Sequence, residues 1–287
     1  MTKHLLPPVY TLAAAEVAEM TRAEREADGR RVFRGVYVSR SVDLTFPLAV
    51  RAALDVLPEG ALASHRTAAA LMGAPVEARP LLDFTVRPGV YRARRAGIRS
   101  HVRDLTDRDA SRVGGLPSTS GPQTWLDLAA VLPDDELVAV GDALYRRGHL
   151  DADAVAERLA RAAGARGVVR ARACAPMLTP LAASRPESLI RCWIIVAGLP
   201  VPRPQVPVHD RWGRAVTHAD LGYEEWKIAL EYEGRQHADP DQFGRDIDRY
   251  SLMGADGWLV LRFASRHGPG TVVDRTRRAL LTRGASW

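Results

Sequence analysis

The alternation of apolar and polar residues divides the chain into two segments, of which the first ends near residue 165. Short apolar runs typical of strands occur in it at Val32–Val38, Leu82–Val86 and Ile98–Val102. Apolar residues at helical spacing, bounded by capping and stop residues, predict helices at Pro47–Leu57, Ser64–Gly73, Thr124–Leu132, Asp134–Arg147 and Asp151–Ala163. The first segment is therefore expected to be an α+β domain over residues 1–165.

The second segment has a different order of elements and occupies residues 184–287. Ser184-Arg-Pro-Glu187 predicts the start of a helix that runs to Gly198. Strand-like runs follow at Pro204–Val208, Val216–Leu221, Lys227–Glu233 and Trp258–Phe263, with a helix at about Asp241–Met253 before the last. Short turns join the first three strands, which should form an antiparallel meander, and the helical crossover should bring the fourth strand in parallel. The expected fold class is α/β, a mixed sheet flanked by helices.

The composition narrows the classes of protein to which the chain can belong. The length of 287 residues favours two domains, and the basic stretch at 166–183 is interpreted as a linker or as a helix leading into the second domain. No apolar run reaches the roughly 18 residues of a membrane helix, and the N-terminus lacks the order of a signal peptide. Two cysteines, Cys174 and Cys192, cannot make a disulfide framework or a zinc knuckle, which favours buried thiols in a reducing cytoplasm. The net charge of +6, almost all from arginine, is compatible with a polyanionic partner.

Acidic residues at the end of a predicted central strand are the main chemical signal. Strand alternation places Lys227, Glu231 and Glu233 on one face, whereas a central strand of an α/β sheet should be apolar on both faces. Asp220 ends the preceding strand, and a hairpin through 222–226 would bring it near Glu231 across the ladder. Close carboxylates repel one another unless a proton or cation lies between them. Oxygen ligands without a Cys or His cluster favour Mg²⁺ or Mn²⁺ over Zn²⁺.

Each of these residues also has an interpretation that requires no function. Glu231 and Glu233 can be edge-strand charges that discourage aggregation, and Asp220 can simply end a strand. Glu187 can complete a capping box with Ser184. His237 can be a polar turn residue.

Several spaced motifs between about Pro186 and Phe263 resemble a known nuclease group. They comprise Glu187 on the leading helix, Gly198-Leu-Pro200, Gln205-Val, His218-Ala-Asp220, Leu230-Glu-Tyr-Glu-Gly-Arg-Gln-His237, Asp246-Ile-Asp-Arg249 and Gly257-Trp-Leu-Val-Leu-Arg-Phe263. This pattern resembles a DUF559-type domain. That group is similar to the very-short-patch repair endonucleases of the PD-(D/E)XK superfamily, so the resemblance implies a restriction-endonuclease-like fold and metal-dependent cleavage of DNA.

The resemblance also implies roles for individual residues. Asp220 and Glu231 match the metal-binding pair, and Glu233 occupies the last position of the motif, where many relatives have lysine. Glu233 is a further candidate for the metal and for catalysis. The positive charge would then come from Lys227, Arg235 or His237, and His237 could also act as a general base. Candidate catalytic and substrate-binding residues completing the set are Glu187, Gln236 and Arg249, the last of which can equally form a helix pair with Asp246.

Shorter motifs in the first segment resemble a second family. They are Phe33-Arg-Gly-Val-Tyr37, Leu62-Ala-Ser-His-Arg-Thr-Ala-Ala69, Gly115-Leu-Pro-Ser-Thr119, Thr124-Trp-Leu-Asp-Leu128 and Gly141-Asp142. The pattern is similar to AbiEi-like antitoxins of type IV toxin–antitoxin systems, which usually begin with a winged-helix DNA-binding region. Only about thirty residues precede Phe33, so that region is expected to be shortened.

The sequence therefore predicts a cytoplasmic Mg²⁺- or Mn²⁺-dependent DNA endonuclease fused to an antitoxin-like region. DNA is the expected partner, and a toxin protein is a further one. The alternative is a DNA-binding regulator or antitoxin whose nuclease fold is inactive, which the missing motif lysine favours.

Overall fold

A computed structural model describes residues 6–77, 80–210, 212–234 and 250–287, with only the main chain at residue 216. The chain forms two compact units, one of residues 1–131 with 149–172, and the other of residues 132–148 with 173–287. Within the described ranges, no helix is long and apolar enough to cross a bilayer.

The helices and strands are labelled in chain order. The strands are β1 (Val9–Thr11), β2 (Gly29–Phe33), β3 (Val36–Ser39), β4 (Leu62–Ala63), β5 (Leu82–Val86), β6 (Ile98–Val102), β7 (Ala110–Val113), β8 (Leu116–Thr119), β9 (Arg203–His209), β10 (Ala215–Tyr223), β11 (Ile228–Glu233) and β12 (Leu259–Ala264). The helices are α1 (Leu12–Val17), α2 (Arg22–Asp28), α3 (Phe46–Leu54), α4 (His65–Leu71), α5 (Gly121–Ala129), α6 (Asp134–Arg146), α7 (Ala152–Ala160), α8 (Val168–Cys174), α9 (Arg185–Val196) and α10 (Pro269–Thr282). This is the mixed α/β class that the sequence predicts.

The first unit contains two sheets. One sheet has the order β1-β3-β2, and α1 and α2 connect β1 to β2 along the chain. The other sheet has the order β6-β5-β4-β8-β7. The run Val32–Val38, predicted as one strand, is instead a hairpin of β2 and β3. Its turn passes through Arg34 and Gly35, and Gly35 has a φ of 85°, a value that glycine adopts without steric cost.

A buried polar network lies beneath α4 in the first unit. The imidazole rings of His65 and His101 stack with their centroids 3.8 Å apart. Nε2 of His101 lies 2.9 Å from Oδ1 of Asp83, and Nδ1 of His65 lies 3.0 Å from Oγ of Ser64 and 3.8 Å from Oδ2 of Asp127. Ser64 occupies the N-cap position of α4 as predicted, but its side chain makes no capping hydrogen bond.

The sheet of the second unit has the order β12-β11-β10-β9. Strands β9, β10 and β11 form an antiparallel meander and β12 pairs in parallel with β11, which confirms the predicted pairing. One face packs against α9 and α10 through a core that includes Ile194, Leu221, Leu230 and Leu280. The sequence thus produces a sheet whose central strands are fixed by apolar side chains on both faces.

Helix α6 packs with α9 in the second unit through a buried ion pair. Nη2 of Arg191 donates to Oδ2 of Asp142 over 2.8 Å, and Oγ of Ser188 donates to the same oxygen. Burial raises the pKa of Asp142, and the positive charge of Arg191 is the strongest of the effects that lower it. Both cysteines, Cys174 and Cys192, are buried thiols in this structure.

Candidate active site

The ladder between the two central strands of the second unit ends where the sequence places its carboxylates. The paired residues of β10 and β11 end at Leu221 and Leu230, whereas β11 stays paired with β12 as far as Glu233. Continuing the β10–β11 register by one step places Asp220 opposite Glu231. These two strands therefore part at the two residues predicted as the metal-binding pair.

The alternation of side chains also breaks at Asp220. Ala219 belongs to the core cluster on one face of the sheet, and Leu221 belongs to the cluster on the other, although residues two apart on a regular strand share a face. In β9 the residue opposite Asp220 is Gln205, whose φ of 52° lies in the left-handed region that few non-glycine residues adopt. Strain of this kind concentrates at functional sites.

The carboxylate of Asp220 reaches the main chain of the neighbouring strand. Its Oδ2 accepts a hydrogen bond of 2.9 Å from the backbone N–H of Tyr232, next to Glu231. This bond fixes the orientation of Asp220 beside β11. Glu231 itself is only 4% exposed, so its carboxylate lies away from bulk water, where a charged form is costly unless a partner compensates it.

Glu187 lies near Asp220, in the first turn of α9. The Ser184 hydroxyl accepts from the backbone N–H of Glu187, while Oε2 of Glu187 accepts from the backbone N–H of Ala183 at 2.8 Å and from Nε2 of Gln205 at 3.3 Å. Burial raises the pKa of Glu187, and the negative charge of Asp220 adds to the rise, whereas these hydrogen bonds lower it. Glu187 therefore caps the helix and also lies close enough to Asp220 for the charge of that carboxylate to act on it.

Glu233 occupies a different environment on the same strand. Its Oε1 accepts from the hydroxyl of Tyr250 at 2.7 Å and from Nε of Arg262 at 2.9 Å. The guanidinium of Arg262 also lies over the ring of Tyr250, 4.4 Å from its centroid. Glu233 is thus held by a cation and a phenol, and it could bind a metal only if this arrangement opened.

Arg262 is a cation that the sequence did not single out as a site residue. It pairs with Glu231 in the β11–β12 register, and paired residues on neighbouring strands point to the same face. Its side chain is about half exposed, so the guanidinium is accessible from solvent. Arg262 on β12 therefore brings a positive charge to Glu233, at the motif position where many relatives have lysine.

Lys227, the lysine predicted to share the face of Glu231, lies elsewhere. It precedes β11 with a φ of 47°, so strand alternation does not extend to it, and its Nζ donates to the carbonyl of Asp256. At about 3.3 Å per residue it lies about 13 Å along the chain from Glu231. The other predicted residues, namely Arg235, Gln236, His237, Asp246 and Arg249, lie outside the described residues.

Asp220 and Glu231 are compatible with a Mg²⁺ site in which the protein supplies two carboxylates. Within the described ranges, no group of three or more His, Cys, Asp or Glu residues is placed to hold a metal. Mg²⁺ is commonly bound by one or two carboxylates and keeps several waters, so Asp220 and Glu231 can suffice. The oxygen-only donor set and the burial of Glu231 where the strands part are the observations that fit this ion.

Two residues of this site, Gln205 and Arg262, belonged to the quoted sequence pattern but were not predicted as site residues. The left-handed φ of Gln205 cannot be read from residue types. The proximity of Arg262 depends on the parallel pairing of β11 and β12, which brings together residues 31 positions apart. A prediction of that register, once made, could have identified Arg262.

Comparisons with known proteins identify relatives but no described activity. No family model matches the chain. The uncharacterized proteins MT2308 and Rv2248 of Mycobacterium tuberculosis are each 33% identical to it over 255 residues, which covers 87% of this chain and 92% of the relative. The crystal structure of the RV2827C protein, also from M. tuberculosis, superposes with a TM-score of 0.43 at 14% identity, covering 70% of this chain and 79% of that one.

Proposed function

We propose that this chain, which belongs to the family of the M. tuberculosis proteins Rv2248 and MT2308, is a Mg²⁺- or Mn²⁺-dependent DNA endonuclease acting in the cytoplasm. The observation that carries the proposal is the juxtaposition of Asp220 and Glu231 in the register of β10 and β11, where the two strands part. Glu187 lies near Asp220. The DUF559-type pattern over the same residues supports it and supplies the substrate class. The net charge of +6 is compatible with DNA.

In this proposal each residue of the cluster has a separate task. Asp220 and Glu231 would bind the cation, and the N–H of Tyr232 holds Asp220 in place. Gln205 orients the carboxylate of Glu187 through its amide. When bound, Mg²⁺ supplies a Lewis acid for a phosphoryl oxygen and lowers the pKa of a bound water.

Arg262 takes the part of the missing lysine. Arg262 is the partner of Glu231 in the β11–β12 register, and its side chain is half exposed. Its guanidinium can therefore approach a phosphate oxygen while it remains paired with Glu233. A guanidinium offers two parallel N–H donors, which match a phosphate better than a single ammonium group does. Glu233 then positions Arg262 and need not bind the metal.

Nicking of supercoiled plasmid tests the proposal directly. We expect the parent protein to nick DNA in Mg²⁺ or Mn²⁺ and to stop in EDTA. Asp220→Asn and Glu231→Gln should each lower the rate by about a hundredfold or more, because each replaces a charged carboxylate ligand of the cation with a neutral amide. Glu225→Gln changes an exposed acid in the β10–β11 turn and is the matched control, expected to cut at the parental rate.

Two outcomes would contradict this assignment. Parental nicking by Asp220→Asn would remove Asp220 from the site. DNA retardation without cleavage, together with no Mn²⁺ binding by calorimetry, would instead favour a non-catalytic DNA-binding regulator or antitoxin. The engagement of Glu233 by Arg262 and Tyr250 is the observation that favours this second function.

A further inference from the structure

An arginine-lined pocket of the first unit, distant in sequence from the carboxylates, is the second feature that points to a ligand. The pocket has a volume of about 570 Å³ and lies between the β2–β3 turn and the segment 91–95. The charged and aromatic residues around it are Arg31, Arg34, Arg94, Arg95, Tyr37 and Tyr91. No aspartate or glutamate lines this described pocket.

The arginines of this pocket differ from several others in the unit. Arg87, Arg103 and Arg108 each pair with a carboxylate. Over the described ranges, the exposed side chains of Arg31 and Arg34 make neither an ion pair nor a hydrogen bond.

Arg94 is also exposed and makes no such contact within the described part of the chain, while Arg95 donates to the main-chain oxygen of Arg34. Four positive charges therefore converge on one concave surface without a neutralising acid. Such a surface attracts a polyanion, because neutralising its phosphates releases counterions.

Tyrosine side chains narrow the class of polyanion. Tyr91 is 74% exposed although it is aromatic, and it belongs to the lining together with the half-buried Tyr37. A positively charged groove that carries an exposed aromatic ring is the combination by which proteins bind single-stranded nucleic acid, with phosphates on the cations and a base on the ring. A free phosphate or a lipid headgroup would make no use of the ring.

We propose that this pocket binds nucleic acid, with Arg31, Arg34 and Arg94 on the phosphates and Tyr91 stacked on an unpaired base. The inference goes beyond the proposed hydrolysis and does not rest on it. It gives the first unit a nucleic-acid contact of its own, built from residues other than the carboxylates of the second unit.

Binding of labelled oligonucleotides to the full chain tests this inference. Fluorescence anisotropy in EDTA excludes cleavage, so failure of the nuclease proposal leaves the measurement unaffected. The variant Arg31→Gln/Arg34→Gln/Arg94→Gln is compared with Arg40→Gln/Arg51→Gln/Arg112→Gln, which removes the same charge from exposed positions of the same unit outside the pocket. Circular dichroism confirms that both variants are folded.

The pocket variant should bind single strands at least about tenfold more weakly than the control variant. The slope of log K against log salt should be shallower by about two, since each lost phosphate contact removes about 0.7 from it. Tyr91→Ala should lower single-strand affinity about five- to a hundredfold and change duplex affinity little, because a paired base cannot stack on the ring.

Equal affinities and equal salt slopes for the two triple variants would overturn the proposal. So would a pocket variant that keeps its affinity for DNA but no longer sediments with phosphatidylglycerol vesicles, because the pocket would then recognise a lipid surface. Loss of DNA binding without any effect of Tyr91→Ala on single strands would refute the stacking contact.

Discussion

The buried imidazole of His65 makes the stability of the first unit depend on pH. His65 is only 5% exposed, and its ring stacks on that of His101, with Asp127 as its nearest carboxylate. Burial lowers the pKa of His65 to about 4, a shift that Asp127 and Asp83 oppose and that His101 and Arg103 reinforce. The unfolded chain therefore takes up a proton on His65 at a pH where the folded chain does not.

The magnitude follows from the two pKa values. A fall from 6.5 to about 4 is about 2.5 units, and each unit corresponds to about 1.4 kcal/mol, so protonation costs the folded state about 3 kcal/mol. The unfolded state binds more protons throughout this window, which means that stability rises with pH there. The contribution is fully present above pH 6.5 and is lost as the pH falls toward 4.

His65→Gln removes the titrating group while it keeps a polar side chain of similar size. Urea unfolding of the full chain is measured at several pH values. Hydrogen exchange of peptides from α4 and β5 monitors it, so that the signal reports on the first unit. The free energy of unfolding of the parent should fall by about 3 kcal/mol more than that of His65→Gln between pH 7 and 4. His218→Gln, which changes an exposed histidine of the second unit, should follow the parent. A difference between parent and His65→Gln that stays constant over this range would refute the reasoning.

Three further predictions concern the second unit. Asp142→Ala leaves Arg191 buried without its partner and should lower the free energy of unfolding by about 3–5 kcal/mol in urea titrations, and a change below 1 kcal/mol would contradict a buried ion pair. Arg262→Gln should slow plasmid nicking about tenfold or more without changing the heat of Mn²⁺ binding, and a weaker Mn²⁺ signal would mean that the residue acts through the metal. Gly222→Ala places a methyl group 2.4 Å from the carbonyl oxygen of Ile228 and should destabilise the unit by about 1–3 kcal/mol. Gly270→Ala, whose methyl group meets nothing within 4 Å, should leave the stability unchanged, and equal melting temperatures for the two variants would refute the clash.

The local elements were largely readable from the sequence. Strands β5 and β6 span the same residues as their apolar runs, and Asp151 caps α7 through its side chain as predicted. Loop lengths between β9, β10 and β11 were enough to predict the antiparallel meander, because strands joined by short turns can only pair in that way. Turn chemistry was the weak point, since the Arg34–Gly35 turn was overlooked within one apolar run.

For the candidate site, the sequence indicated which carboxylates to examine but not what surrounds them. Glutamates at the end of a central strand, and an aspartate in the strand before it, violate the apolar pattern of the sheet and can be found by that violation. The sequence predicted that this earlier strand ends beside Asp220, but β10 continues to Tyr223. The partners of Glu233, namely Tyr250 and Arg262, come from later parts of the chain and could not be inferred from local spacing.

The sequence by itself determined the α/β class, the order of strands in the second unit and the acidic character of the strand ends, because propensity, periodicity and loop length act over a few residues. Only the tertiary structure decided that α6 packs on α9 through Asp142, that the strands part at Asp220, and that Lys227 leaves the strand conformation and donates to the carbonyl of Asp256. These outcomes depend on pairing and packing between residues distant in sequence, where burial and register, more than residue type, select the contact.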